Sequence, residues 1–216
     1  MFSGAALSDS RGEGRTAARP IVVGVSGASG QIYAVRTLKC LLALGYTVDL
    51  VASRSAHLVW RDEVGTALPF EPAEQEQFWR AQTGETEGRL VCHAFANVGA
   101  SIASGSYRTL GMLVIPCSMS TVGKLAAGLS GDLLERSADV QLKEGRPLVL
   151  VPRETPFSLI HLRNLTALAE AGARIVPAIP AWYQQPKTVE DLVDFVIGRA
   201  LDQFGIDHDL YRRWRS

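Results

Sequence analysis

From Ile21 onward the chain alternates between two patterns of apolar positions. Short apolar runs, IVVGV (21–25), TVDLVAS (47–53), RLVCHAF (89–95), MLVIPCS (112–118), LVLVPRE (148–154) and RIVPAIP (174–180), have the length and content of buried strands. Between them the period lengthens. QIYAVRTLKCLLALG (31–45) puts Ile32, Val35, Leu38, Leu41 and Leu42 on one helical face and stops at Gly45. Further helices are predicted from Ser53-Arg54 to Asp62, over 72–81, from 156 to 171 before Gly172, and over 192–205. A Thr188…Asp191 capping box announces the last of these. Strands of this kind separated by helices predict an α/β fold, a three-layer αβα sandwich on a mainly parallel, Rossmann/flavodoxin-like sheet. Residues 20–216 read as one domain. Residues 1–19 lack sustained periodicity and read as a disordered tail; Asp9, Glu13 and the absence of an apolar face argue against a transit peptide.

Composition narrows the classes of partner. The 216 residues carry 22 Lys and Arg against 22 Asp and Glu, so no long-range field draws the chain to nucleic acid or an anionic membrane. A local basic pocket for a small anion remains open, and low net charge tolerates self-association. No run reaches the roughly 18–20 apolar residues of a membrane span. Cys40, Cys92 and Cys117 are far apart and read as buried small hydrophobes in a reducing cytoplasm. The four histidines are scattered and no CxxC or HExxH occurs, so no protein-held metal is expected.

In parallel sheets ligands gather at the carboxyl ends of strands, and the polar residues of this chain concentrate there. Gly24-Val-Ser-Gly27-Ala-Ser-Gly30 fails the GxGxxG spacing of dinucleotide folds and the GxSxG of hydrolases. It remains a turn of small side chains, hydroxyls and N–H groups, fit for a phosphate or a flat ring, or simply a tight turn. Ser118-Met-Ser-Thr121 repeats this chemistry, as caps or as donors. Arg153 and Glu154 follow an apolar strand, where they form either an ion pair or an anion and proton site. Trp182 and Tyr183 lie in a loop and suit stacking or an interface. Lys143 and Arg199 are by default solvated helix charges.

Four stretches together, VGVSGASGQIYAVRTL, PCSMSTVGKLAAG, ERSADVQLKEGRPLVLVPRETPFSLIHLRNL and PAWYQQPKTVEDLVDFVIGRALDQFGI, resemble the UbiX/Pad flavin prenyltransferases over residues 20–214. These belong to the flavoprotein family of homo-oligomeric flavin-containing cysteine decarboxylases. The resemblance implies an enzyme that joins the dimethylallyl group of dimethylallyl monophosphate to N5 and C6 of reduced FMN without a metal. Its prenylated FMN would serve a UbiD-type decarboxylase. It further implies a cytoplasmic homo-oligomer, a dodecamer, with no nucleic-acid or membrane partner. FMN would meet Gly27, Ala28, Ser29, Ser53, Ser118, Met119, Ser120, Thr121 and Arg153. Tyr183, Arg199, Lys143, Arg136 and Ser104 would hold the allyl phosphate, and Glu154, Ser29 and Glu63 would be catalytic, some donated across subunits. Asp132, where many members have Asn, and Val98, near the place of an aromatic, depart from the pattern. Two alternatives are a cysteine decarboxylase using His57 and a flavin carrier without chemistry.

Overall fold

A computed structural model describes residues 19–213; the tail expected over 1–19 lies, but for Arg19, outside the described residues. Six strands, β1 (Ile21–Val25), β2 (Thr47–Ala52), β3 (Arg89–His93), β4 (Gly111–Cys117), β5 (Leu148–Pro152) and β6 (Arg174–Ile175), form one all-parallel sheet in the order β3-β2-β1-β4-β5-β6. The order reverses between β1 and β4. That reversal opens a crevice at the carboxyl ends of these two strands, where a ligand has access to both turns.

Seven helices cover the sheet: α1 (Ile32–Ala43), α2 (Arg54–Val64), α3 (Pro72–Thr83), α4 (Met119–Ala126), α5 (Leu133–Lys143), α6 (Leu159–Glu170) and α7 (Val189–Leu201). Alternate residues of each strand feed opposite cores. Ile21, Val23 and Val25 pack against α1, α2, α3 and α7; Val22, Val114 and Leu150 pack against α4, α5 and α6. Burial on both faces is why the strands read as unbroken apolar runs. None of the helices among the described residues is long and apolar enough to cross a membrane.

Local chemistry sets most helix starts. Ser53, Ser118 and Asp132 each accept an N–H from three residues on, and Ser158 and Thr188 form capping boxes, the latter with Asp191 as expected. Asp132 therefore does the work of an Asn at the same place, accepting Glu135 N–H at 2.9 Å.

Several predicted elements differ from expectation; β5 stops at Pro152 rather than 154, and α7 runs Val189–Leu201 rather than 192–205. The sixth strand stops at Ile175, although Val176 N and Ala178 N still donate to Leu150 and Pro152 carbonyls at 2.8 and 3.0 Å. Pro177 stands between these donors with its N directed away from β5, so its missing N–H interrupts no bond and the pairing runs on past Ile175. Helix α6 starts at Leu159 rather than 156, because Pro156 precedes the Ser158 cap. Strand β3 ends at His93 rather than 95. The cysteines are free; Cys92 and Cys117 are buried and Cys40 is partly so.

One buried charge interrupts β2. Asp49, 2% exposed, accepts Tyr107 OH at 2.9 Å and lies 2.8 Å from His93 Nε2. Burial, and then Asp49 itself, push the Tyr107 phenol up to about 12, so it remains a donor. This bond pins the segment between β3 and β4 to the sheet. Tyr107→Phe leaves a buried carboxylate short of a donor and is expected to cost about 1–3 kcal/mol of stability, read as a lower denaturation midpoint; an unchanged midpoint would show that the bond contributes nothing.

Candidate active site at the carboxyl ends of the strands

The crevice is stitched from four strand ends. Ser26, directly after β1, donates its hydroxyl to Pro116 O at 2.8 Å and accepts Ser118 N–H at 2.7 Å. Its backbone N–H also reaches Pro116 O at 3.2 Å. Ser53 N donates to Val25 O at 2.8 Å, and Arg153 N to Cys117 O at 3.1 Å. Arg153 Nε then donates to Ser29 O at 2.9 Å, so the β5 end closes on the β1 turn. Gly27, Ala28, Ser29, Ser53, Ser118, Met119, Ser120, Thr121 and Arg153, which the sequence reading assigned to one ligand, lie on these joined turns.

The first turn is shaped by glycine. Gly30 adopts φ 103°, a conformation that side chains rarely take, with the Tyr33 ring beneath it. A Cβ on Gly27 would strike Ser55. The glycines thus let the turn pack closely on Ser55 and on the Tyr33 ring.

The N–H groups that begin α1 are already partnered. Glu63, at the far end of α2, accepts Gly30 N–H at 2.8 Å and Gln31 N–H at 2.9 Å. Burial pushes its carboxyl upward, but the Ser29 hydroxyl, these two N–H groups and the Arg153 charge together hold it below the usual range. An internal carboxylate therefore sits where the sequence alone left room for an external phosphate. At the second turn, Ser118 Oγ accepts Thr121 N–H at 3.2 Å and lies 3.0 Å from Thr121 Oγ1, while Ser120 is exposed.

Beyond Arg153 a cavity of about 300 Å³ is lined by Arg153, Glu154, Pro156, Phe157, Pro177 and Ile179. Glu154 Oε1 accepts Thr155 N–H at 3.0 Å, which turns the carboxylate back over the strand end. The donors and small residues on one side, with this partly apolar cavity on the other, fit a flavin mononucleotide.

The expected phosphate cage lies elsewhere in the chain. Tyr183 stacks edge-on against Phe195 at 5.9 Å, and Arg199 reaches Asp202 Oδ2 at 2.8 Å. Arg199 lines a second cavity, of about 340 Å³, together with Arg174. Arg174 is in register with Val149, four residues before Arg153, so Arg174 itself lies about 13 Å back along the strands, but Pro177 and Ile179 border both cavities. Arg136 pairs with Asp139 at 3.2 Å on α5. Lys143 is exposed at the end of α5 that leads into the amino end of β5. Ser104 bonds Ser106 at 2.9 Å in the preceding surface segment. A single chain brings Glu63, Ser29, Arg153 and Glu154 together and sets the cavity of Arg199 beside theirs across Pro177 and Ile179, while Lys143 lies toward the opposite, amino end of the sheet.

His57 is not placed for chemistry. It is 5% exposed, bonded through Nδ1 to Leu68 O at 3.0 Å and covered by the parallel ring of Phe70 at 4.2 Å. Val98, 52% exposed, lies on the surface between β3 and β4. Sequence reasoning missed Ser26 as the tie between turns, and also Asp202 and Tyr211 beside Arg199; Asp202 stands at the i,i+3 spacing of a helical ion pair and was readable, whereas nothing local marks Ser26 or Tyr211.

The switch-point crevice with its paired hydroxyl turns defines a flavin-type nucleotide-binding α/β protein. The profile of the Flavoprotein family matches residues 9–201. A flavin prenyltransferase UbiX from Synechocystis is 66% identical over 200 residues, covering 92% of this chain and 97% of its own. Two solved structures are similar throughout. A UbiX (PadA1) in complex with FMN and dimethylallyl pyrophosphate has a TM-score of 0.80 at 38% identity, covering 92% of this chain and 98% of its own. A dodecameric FMN-dependent UbiX-like decarboxylase from Escherichia coli O157:H7 has 0.79 at 41%, covering 91% and 100%. The chain belongs to the Flavoprotein family, among its flavin prenyltransferase UbiX members.

The Glu63 clasp generates a pH test. Because the folded carboxyl is held below its ordinary value of 4.5, its contribution is complete above pH 4.5 and is lost as pH falls through the lower folded value. The difference in melting temperature between the wild type and Glu63→Gln should be constant above that pH and shrink below it. A difference that grows on acidification contradicts the clasp.

Proposed function

We propose that this protein is a flavin prenyltransferase, joining the dimethylallyl group of dimethylallyl monophosphate to N5 and C6 of reduced FMN. The observation that carries the reading is the 66% identity to a flavin prenyltransferase over nearly the whole chain. The geometry supplies the parts. Arg153, Ser29 and the two hydroxyl turns hold and orient the flavin against the strand ends. Reduced FMN supplies a nucleophilic N5 and an aromatic C6. Tyr183 and Arg199, with Lys143, Arg136 and Ser104, receive the departing phosphate, whose negative charge grows as the allylic carbon–oxygen bond breaks. A water-poor cleft protects the allyl cation from capture. Glu154 takes the proton released when the bond to C6 forms.

Because Lys143 lies toward the amino end of the sheet, away from Arg153 and Glu154, the complete site is assembled between copies. Leu159, Ile160 and Trp182 are exposed at 61, 68 and 72%, apolar surface that a second copy would cover. We infer a homo-oligomer, a dodecamer like the E. coli structure, acting in the cytoplasm and delivering its product to a UbiD-type decarboxylase.

Anaerobic incubation with reduced FMN and dimethylallyl monophosphate should yield a flavin heavier by one C5H8 unit. Unmodified FMN, alongside an active control enzyme, would refute the assignment. Glu154→Gln should retain FMN while turnover falls by about 10²–10⁴-fold; unchanged turnover removes Glu154 from proton transfer. Shared assembly has its own test. Lys143→Ala and Arg153→Ala chains, each inactive alone, should recover part of the activity when co-expressed as mixed oligomers, and no recovery would place both groups in one subunit's site.

A further inference from the structure

Around Arg199 the chain builds a fixed frame that the reaction scheme does not yet use. Arg199 Nη1 donates to Asp202 Oδ2 at 2.8 Å and to Tyr211 OH at 3.2 Å. Tyr211 OH in turn donates to the same Asp202 oxygen at 2.5 Å, closing a three-membered ring of bonds. The other carboxylate oxygen takes Arg213 Nη2 at 3.0 Å and lies 3.2 Å from His208 Nε2. His208 Nδ1 accepts Leu210 N–H at 3.3 Å, so its proton sits on Nε2, which faces both Asp202 and Gly198 O at 3.0 Å.

A second, independent feature shows that this approach is built. Gly198 lies inside α7, where a glycine weakens a helix. A Cβ there would fall 2.6 Å from the Tyr211 ring and 2.7 Å from His208. The glycine lets the segment after α7 fold back flat onto the helix and deliver Tyr211 to Arg199.

We propose that Asp202 and Tyr211 are positioning residues that hold Arg199 for the allyl phosphate. Both Nη1 hydrogens are turned inward, which leaves the Nε–Nη2 edge, a fork of parallel donors matched to an oxyanion. The inference rests on the assignment of Arg199 to the donor phosphate. The protonation states suit it. Burial raises the Asp202 carboxyl, but the bonds from Tyr211 and Arg213 and the Arg213 charge hold it below the usual range. Burial, then Asp202, raise the Tyr211 phenol, so it stays protonated and donates.

Positioning and plain electrostatics predict opposite signs. Asp202 is a negative charge beside an anion site, so by charge alone Asp202→Asn should tighten phosphate binding. By positioning it should weaken it. In the FMN-loaded oligomer we expect Asp202→Asn to raise the KM for dimethylallyl monophosphate and the inhibition constant of inorganic phosphate by about 10-fold or more. Tyr211→Phe, which changes no charge, should raise both by about 3–10-fold, with FMN affinity unchanged. Should Asp202→Asn fail to fold, Tyr211→Phe decides. Unchanged or lowered constants in Tyr211→Phe overturn the proposal. Titration with inorganic phosphate alone separates this inference from the reaction: a wild type that transfers no allyl group, yet binds phosphate more tightly than Tyr211→Phe, sinks the activity and keeps the frame. A wild type that does not bind phosphate sinks the frame.

Discussion

The arrangement of the site depends on one buried hydroxyl. Ser26, fully buried, donates to a carbonyl of the β4 end and accepts an N–H from the first residue beyond it. Parallel strands on either side of a topological reversal send their chains to opposite faces of the sheet. Beyond the paired residues of β1 and β4 the turns would otherwise diverge. Ser26 continues the pairing with its backbone N–H and doubles it with its hydroxyl, and Arg153 ties β5 to the same turns. The crevice is thereby a fixed surface and not a pair of loose loops.

That constraint alters the meaning of the glycine- and serine-rich turn. A strand, a small-residue turn and a helix start ordinarily signal an anion over the helix N-terminus. Here Glu63 occupies those N–H groups from within the chain. The turn serves by its shape and by Ser29, and the α1 dipole is used to hold α2 in place. Ser29 then touches three partners at once: its carbonyl accepts Arg153, its hydroxyl supports Glu63, and its exposed face borders the crevice.

Much of this architecture was legible in the chain itself, for reasons of range. Apolar runs, capping residues and stop glycines act within a few positions, so the strands, the Thr188 box and the end of α1 at Gly45 could be read directly. The sixth strand was read as longer because its apolar content continues past Ile175, as do its bonds to β5 through Val176 and Ala178. Asp49 in β2 gave no warning of its partners, which come from 44 and 58 positions away. The cradle residues were readable because strand ends converge by rule. The ring around Arg199 was not, since Gly198 inside a helix looks like a flaw until Tyr211 is seen lying against it.

On the proposed reading, the division of the site has an electrostatic logic. The reaction brings together two phosphate-bearing molecules, and their dianions repel if held side by side in a poorly screened cleft. The Arg199 frame borders a cavity of its own, which meets that of Arg153 and Glu154 at Pro177 and Ile179, so the two phosphates can be met by separate cations. The zero formal charge of the chain permits packing of identical copies without mutual repulsion. The pairing of Arg199 with Asp202 and Tyr211 gives up part of the guanidinium's net attraction in return for a fixed direction.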